Sequence, residues 1–383
     1  MKIPLLDLKA QHATIRDEIE RAIAEVFEEQ QFVLGPAVER FERAMSEYTG
    51  ARHAIGVASG SDALLLALMA LGLGPRDCVV TTPFTFFATV SAITRVGARV
   101  AFADIDPATF NVSAETVARA IERGPAPEGR WVLLPVHLFG RVAPMEELGE
   151  LARRRDAPVV EDAAQAVGAR QAVGGKVRMA GTIGVAGALS FFPSKNLGGA
   201  GDGGMLLTDD DELAASFRIL RVHGSGERYL HEIVGINSRL DAIQAAILSV
   251  KIRHLDDWNA RRRDRAARYS RALREAGVAP RFVTPPVECA AEHVFHQYVV
   301  RAERRDELRS ALTRAGIGTQ IYYPLALHQQ RCFADLGYRE GDFPETERST
   351  HETLALPIFP ELSDDQIDAV VSAITSFYRK RSA

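Results

Sequence analysis

The stretch Cys78-Val79-Val80-Thr81-Thr82-Pro83-Phe84-Thr85-Phe86-Phe87-Ala88-Thr89-Val90-Ser91-Ala92-Ile93-Thr94-Arg95-Val96-Gly97-Ala98-Arg99-Val100-Ala101-Phe102-Ala103 decides the fold class. Cys78–Thr81 is a short run of the kind that forms a fully buried strand. Phe84–Ile93 has helical character, and Val100–Ala103 is a second apolar run. Strand, helix and strand in this order form a βαβ unit, and the rhythm continues on both sides. Upstream, Ser61–Leu71 is apolar and helix-forming. Downstream, Trp131–Val136, Pro158–Val160 and Met205–Thr208 read as further strands. A mostly parallel sheet covered by helices follows. At the N-terminus, Ile15, Ile19, Ile23 and Val26 mark a helix over Thr14–Phe27, with Thr14 and Asp17 spaced as a capping box. Beyond Thr208 the rhythm changes. Asp241–Trp258 and Arg261–Ala276 are long helical stretches. His296–Val300 is a strand, and Arg305–Ala315 and Ser363–Tyr378 are helices. The expected division is a large domain over 1–250 and a smaller α+β domain over 251–383.

The chain has 383 residues and a net charge of −4, which argues against a general nucleic-acid binder. No apolar run approaches the ~18 residues of a membrane span, and the first residues lack the apolar core of a signal peptide. Cys78, Cys289 and Cys332 show no metal-type spacing, as expected of thiols in a reducing, cytoplasmic setting. Seven arginines between Arg261 and Arg274 form the strongest charge feature. A solvated helix face is the plain reading, and help in holding a diphosphate the functional one.

Three segments carry chemistry, each at the end of an expected strand, where open α/β sheets bind ligands. In Val159-Val160-Glu161-Asp162-Ala163-Ala164-Gln165 an apolar strand runs into two carboxylates. A buried carboxylate needs a cationic or hydrogen-bonded partner, and a protonated pyridine nitrogen beside Asp162 would be one. Gln165 lies one helical turn on and can reach a ring substituent. The alternative is a helix N-terminus decorated with acids. In the second segment, Leu189–Gly204, Lys195 stands between Phe191-Phe192 and a glycine run. A Schiff-base lysine needs such a partly desolvated place. The rival, Lys176, sits in a polar loop. In the third, Ser59-Gly60-Ser61-Asp62, small hydroxyl residues open a helix, as in a phosphate site or a plain serine cap. Among Phe84-Thr85-Phe86-Phe87, one aromatic face can stack on a flat ring.

Taken in order, these segments resemble the sugar aminotransferases of the DegT/DnrJ/EryC1/StrS family, within the aspartate aminotransferase superfamily. The resemblance runs nearly end to end, from Pro4-Leu5-Leu6-Asp7-Leu8 through Pro135–Gly140 and Asn237-Ser238-Arg239-Leu240-Asp241 to Tyr322-Tyr323-Pro324 and Leu356-Pro357. It implies a fold type I enzyme, a three-layer α/β sandwich, with pyridoxal 5'-phosphate as cofactor. Lys195 would carry the Schiff base, Asp162 would pair with the pyridine nitrogen and Gln165 with the ring hydroxyl. Gly60, Ser61 and Ser190 would contact the phosphate, and Phe86 would stack on the ring. Asn237 would reach the phosphate from a neighbouring subunit, which implies a homodimer with shared sites. Substrate contacts are expected from Tyr229, His231, Tyr323 and His328.

The implied reaction is amination of a nucleotide-linked keto sugar with glutamate as donor. Gly201-Asp202-Gly203-Gly204 is similar to the form found in relatives acting at C3, and Arg221–Gly224 with Tyr229–His231 to UDP-sugar enzymes. The substrate so implied is a UDP-linked 3-keto hexose, N-acetylated or a uronic acid. A dTDP-linked 3-keto-6-deoxyhexose is the alternative. A dehydratase of the same family would carry histidine in place of Lys195, and a regulator is the alternative outside enzymes.

Overall fold

The computed structural model describes residues 2–227, 229–289 and 292–379. Cys78–Thr81 is buried throughout and lies between Arg99–Phe102 and Trp131–Leu133, parallel to both. A second group of strands runs in the order His53–Val57, Gly204–Thr208, Ala186–Ser190, Val160–Asp162. Parallel bridges Leu133 to Val159 and Val136 to Asp162 join the two groups into one sheet. Gly204–Thr208 runs antiparallel to both of its neighbours, His53–Val57 and Ala186–Ser190.

Side chains alternate across a pleated strand, and here they feed two cores. Cys78, Val80, Leu189, Met205 and Leu207 pack on one face with Phe41, Met45, Leu148 and Leu151. Val79, Ala188 and Leu206 pack on the other with Leu64, Leu66, Leu68, Ile93 and Phe217. Helices therefore cover both faces, the three-layer arrangement expected. The helix Gly60–Ala70 is apolar around most of its circumference because it is buried in this way. Each of its fully buried leucines contributes roughly 1.5–3 kcal/mol.

The last part of the chain builds an antiparallel sheet of Val283–Thr284, Tyr298–Ala302 and Thr353–Leu356. Its core takes Tyr269 and Leu273, Leu308 and Leu312, and Ile367, Val370 and Ile374 from three helices, Leu255–Glu275, Arg305–Arg314 and Asp364–Arg379. It also takes Ile3, which forms a parallel bridge with Ile317. Leu255, at the start of the first of these helices, packs instead into the large core.

Several local expectations change. The capping box is not formed: Thr14 Oγ1 turns back to the Gln11 carbonyl at 2.8 Å, closing the preceding helix Leu8–Ala13. The following helix, Arg16–Glu29, starts at Ile15 without a side-chain cap. The expected helix Asp241–Trp258 is Ala242–Lys251, a 3-10 turn Ile252–His254, and a new helix from Leu255. The arginine run on that helix is a set of ties. Arg265 meets Asp364 at 3.0 Å, Arg268 meets Asp368 at 2.8 Å, and Arg274 meets Glu288 at 2.8 Å. Arg262 is buried and donates to the carbonyls of Phe295, His296 and Ile358. A hairpin not anticipated from sequence, Arg170–Val173 with Lys176–Met179, turns on Gly174 and Gly175. Both glycines have positive φ, 59° and 73°, as a two-residue hairpin turn of this hand requires. Among the described residues, no helix is long and apolar enough to cross a membrane.

Candidate active site

The strand Val160–Asp162 ends in two carboxylates that have separate jobs, because neighbours in a strand point to opposite faces. Glu161 is wholly enclosed. Its Oε1 accepts the backbone N–H groups of Ile183 and Gly184, both at 2.6 Å. Its Oε2 accepts Gly181 N–H and lies 2.8 Å from His137 Nε2. His137 Nδ1 accepts the Ala143 N–H at 3.0 Å, so the ring's proton is on Nε2 and points to Glu161. Glu161 thus fastens the sheet to the 181–184 turn.

Asp162 is buried on the other face. Its Oδ2 accepts the Thr89 hydroxyl at 2.7 Å and its Oδ1 the Ala164 N–H at 3.2 Å. Burial pushes its pKa up, against the opposing pull of Thr89, Ala164 and the Lys195 charge.

Lys195 is partly buried in the turn after Ala186–Ser190, its N–H bonded to the Phe192 carbonyl at 2.8 Å. Desolvation lowers its pKa to about 8, and the Asp162 carboxylate acts in the opposite sense. The amine and the carboxylate are therefore electrostatically coupled, at a lysine whose neutral form is accessible near neutrality. Gly198 lets the loop close, since a Cβ there would lie 2.3 Å from the Pro193 carbonyl oxygen. Lys251, a second lysine with a pKa lowered by burial to about 8, donates to the Gly198 carbonyl at 2.6 Å. Gln244 accepts the Ala200 N–H. The rival singled out from sequence, Lys176, stands exposed on the surface hairpin.

Gly60 opens the helix beside these strands, with Ser59 Oγ accepting the Asp62 N–H at 3.1 Å. A Cβ at Gly60 would sit 2.7 Å from Ser190 Cβ, and one at Gly204 would sit 2.3 Å from the Ser59 carbonyl carbon. Backbone contact this close brings Gly60, Ser61 and Ser190 together around one helix N-terminus, where free N–H groups favour an anion. Phe86 stands just before the helix Phe87–Arg95 and is 60 % exposed. Gln165 donates to Tyr323 Oη at 2.9 Å and accepts the Phe139 N–H at 2.7 Å. Tyr323 packs edge-on to Phe84 and stacks on Phe139.

The other expected residues lie elsewhere. Asn237 is exposed, while its neighbour Ser238 accepts the Ala58 N–H. Tyr229 is 80 % exposed and His231 is exposed, on the hairpin of Ser225–Glu227 with Leu230–His231. His328 is 3 % exposed and faces Glu347 at 3.0 Å and the ring of Phe343. Arg221, in the segment similar to UDP-sugar enzymes, is turned inward onto Glu42 at 2.5 Å and the Gly56 carbonyl at 2.8 Å.

Two features escaped the sequence reading. One is Thr89, which holds Asp162. The other is a polar clamp on Asn196, next to Lys195. Asn196 Nδ2 donates to Asn259 Oδ1 and to the Val294 carbonyl, and its Oδ1 contacts His296 Nδ1 at 3.2 Å. The partners lie 63 to 100 residues away in sequence. Only the polar character of Asn196 in an apolar setting hints at them.

Residues 13–375 match the DegT/DnrJ/EryC1/StrS aminotransferase family. A Geobacillus stearothermophilus protein named "Pleiotropic regulatory protein" is 49 % identical, with 99 % of each chain covered. The dTDP-3-amino-3,4,6-trideoxy-alpha-D-glucose transaminase of Streptomyces venezuelae is 42 % identical, covering 97 % of this chain and 95 % of that protein. An Acidithiobacillus ferrooxidans UDP-N-acetyl-3-dehydro-alpha-D-glucosamine 3-aminotransferase is 41 % identical, with 97 % of each covered. Among solved structures, DesV of S. venezuelae superposes with a TM-score of 0.92 at 41 % identity, over 98 % of both chains. The matched span, the identities and the shared fold place this chain in the DegT/DnrJ/EryC1/StrS aminotransferase family.

Proposed function

We propose that this enzyme transfers an amino group from glutamate to C3 of a nucleotide-linked keto sugar, with pyridoxal 5'-phosphate as cofactor. The observation that carries the reading is the pair of Lys195 and Asp162. A desolvated amine with its pKa lowered to about 8 and a buried carboxylate influence each other at the ends of adjacent strands. The residues fit the cofactor. The start of the helix lies so close to Ser190 that a Cβ at Gly60 would sit 2.7 Å from Ser190 Cβ, and Gly60, Ser61 and Ser190 at this helix N-terminus are suited to the phosphate. Asp162 is a buried carboxylate whose charged form a cationic partner would favour, suited to the pyridine nitrogen. When bound, the cofactor supplies the electron sink for amino transfer.

The chain's own groups do the rest. Lys195 would anchor the cofactor, and its Nζ, with a pKa lowered to about 8, could take up and give back a proton during amino transfer. Asp162 would pair with the ring nitrogen and favour its protonated form. Gln165, itself fixed by Phe139 and Tyr323, holds the ring hydroxyl, and Phe86 covers the ring face. Tyr323 is assigned to the sugar side; His328, enclosed between Glu347 and Phe343, is not. Asn237, Tyr229 and His231 are assigned to the site of a second subunit. Their exposure supports that placement, as it leaves them accessible to another chain.

The names of the dTDP- and UDP-sugar relatives both support C3. Gly201-Asp202-Gly203-Gly204 adds to this, and the UDP-linked N-acetylated or uronic 3-keto hexose is our first choice over the dTDP sugar. The test supplies matched 3-keto and 4-keto sugar nucleotides with glutamate and locates nitrogen in the product by NMR. Amination confined to C4 would overturn the regiochemistry, and no amination of any sugar would overturn the function. Site sharing is tested by mixing Lys195→Ala with Asn237→Ala chains. Activity recovered in hybrids supports it, and none despite subunit exchange refutes it. A regulatory role is the second reading, prompted by the name of the Geobacillus relative. Retention on DNA at physiological salt, with no amination, would favour it.

A further inference from the structure

Asp162 takes one hydrogen bond on each oxygen, and the one on Oδ2 comes from a hydroxyl with no access to water. Thr89 is 0 % exposed, and its Oγ1 lies 2.7 Å from Asp162 Oδ2. A threonine hydroxyl has one hydrogen. With that hydrogen given to Asp162, Thr89 can only accept in its 3.1 Å contact with Thr85 Oγ1. Thr85, 2 % exposed, is therefore the donor there. The result is a directed chain, Thr85 to Thr89 to Asp162, in which every hydrogen points toward the carboxylate.

The chain is built by local geometry. Thr85 and Thr89 are four residues apart across the start of the helix Phe87–Arg95. That helix lies on the face of the sheet to which Asp162 points. The Thr82 hydroxyl accepts the Phe84 N–H at 3.0 Å, which fixes the turn ahead of Thr85. The arrangement has an electrostatic purpose. Burial favours the neutral acid form of Asp162, and the Thr89 hydrogen bond is the largest influence favouring the charged form. A neutral Asp162 could not serve as an anionic partner.

We propose that the Thr85–Thr89 hydroxyl chain holds Asp162 as a carboxylate and sets which of its oxygens faces the cofactor ring, which makes Thr89 a positioning residue for amino transfer. This rests on the reading of Asp162 as partner of the ring nitrogen. Because the donors point one way, the chain stabilises negative charge without offering Asp162 a proton acceptor. Removing the methyl of Thr89 should matter little, whereas removing the hydroxyl should matter a great deal.

The test compares holoenzymes of the parent, Thr89→Ser, Thr89→Val, Thr85→Val and Asp162→Asn. Cofactor dissociation constants are measured by visible absorbance across a pH series, since the charge of Asp162 is the quantity under test. The acid limb of kcat, the KM for the keto sugar and the urea midpoint are read alongside. We expect Thr89→Val to weaken cofactor binding about tenfold or more and to move the acid limb up by about one pH unit, with the sugar KM little changed. Thr85→Val should shift both in the same direction by less, and Thr89→Ser should match the parent. If Thr89→Val lowers only the urea midpoint and leaves the pH profile and cofactor affinity unchanged while Asp162→Asn is inactive, the relay is wrong and the role of Asp162 stands. If Asp162→Asn turns over like the parent, the reading of Asp162 fails, and the relay with it.

Discussion

Replacing Glu161 with glutamine separates the two adjacent carboxylates experimentally. Glu161 accepts four hydrogen bonds, two on each oxygen; the His137 and Gly181 donors are buried with it and the Ile183 and Gly184 donors are half-buried. An amide offers one acceptor oxygen and one NH2 donor. In one orientation the NH2 faces the N–H groups of Ile183 and Gly184. In the other it faces Gly181 N–H and His137 Nε2. His137 cannot relieve the second case by moving its proton, because Nδ1 would then confront the Ala143 N–H. Two donors are orphaned either way. The amide loses least with its NH2 toward the half-buried Ile183 and Gly184 N–H groups, and at about 1–2 kcal/mol for each of these Glu161→Gln should cost about 2–4 kcal/mol, a large part of a typical stability of about 5–15 kcal/mol. Asp162→Asn keeps an oxygen for the Thr89 hydroxyl and leaves only the half-buried Ala164 N–H, held at 3.2 Å, without its acceptor; it should cost about 1 kcal/mol, less than Glu161→Gln, while losing most activity. The assay is equilibrium urea unfolding followed by circular dichroism, with turnover measured on the same samples. A Glu161→Gln variant as stable as the parent, or the two variants equally destabilised, would refute this division of labour.

The amine of Lys195 in cofactor-free protein should react with an acylating reagent along a titration centred at about 8. The reactive form is the unprotonated one, so labelling rises with pH. Asp162→Asn should move the midpoint lower, because the carboxylate favours the ammonium form. A midpoint in the ordinary lysine range, near 10.5, would contradict the desolvated placement. Gly60→Ala should cost about 1–3 kcal/mol and weaken cofactor binding, because its new methyl would lie 2.7 Å from Ser190 Cβ and 3.2 Å from Ser190 Cα. Calorimetry and a cofactor titration check this, and a variant indistinguishable from the parent would show that the helix start is not packed as described.

The strands of the main sheet were readable because burial on both faces leaves short, continuous apolar runs such as Cys78–Thr81. Lys195 stood out through its aromatic and glycine flanks, which are local. Sequence also places Glu161 and Asp162 at a strand end and singles out Asp162 for a ligand, but shows nothing of the work of Glu161, since that depends on what covers its face. The capping box at Thr14 failed because a competing local bond to Gln11 was available. Arg221 and the arginines of Leu255–Glu275 read as free charges. Their partners, Glu42, Asp364 and Asp368, come from remote segments. Thr89 and the Asn196 clamp were missed for the same reason: a hydroxyl or amide shows no preference in sequence for a partner 73 or 100 residues distant.

The most direct test of the central claim is to reduce the cofactor-loaded enzyme with borohydride, digest it, and map the modified peptide. The account predicts a single label, on Lys195. A label on Lys251, whose amine is also desolvated but is bound to the Gly198 carbonyl, or on Lys176, would contradict it, as would a loaded enzyme that acquires no label.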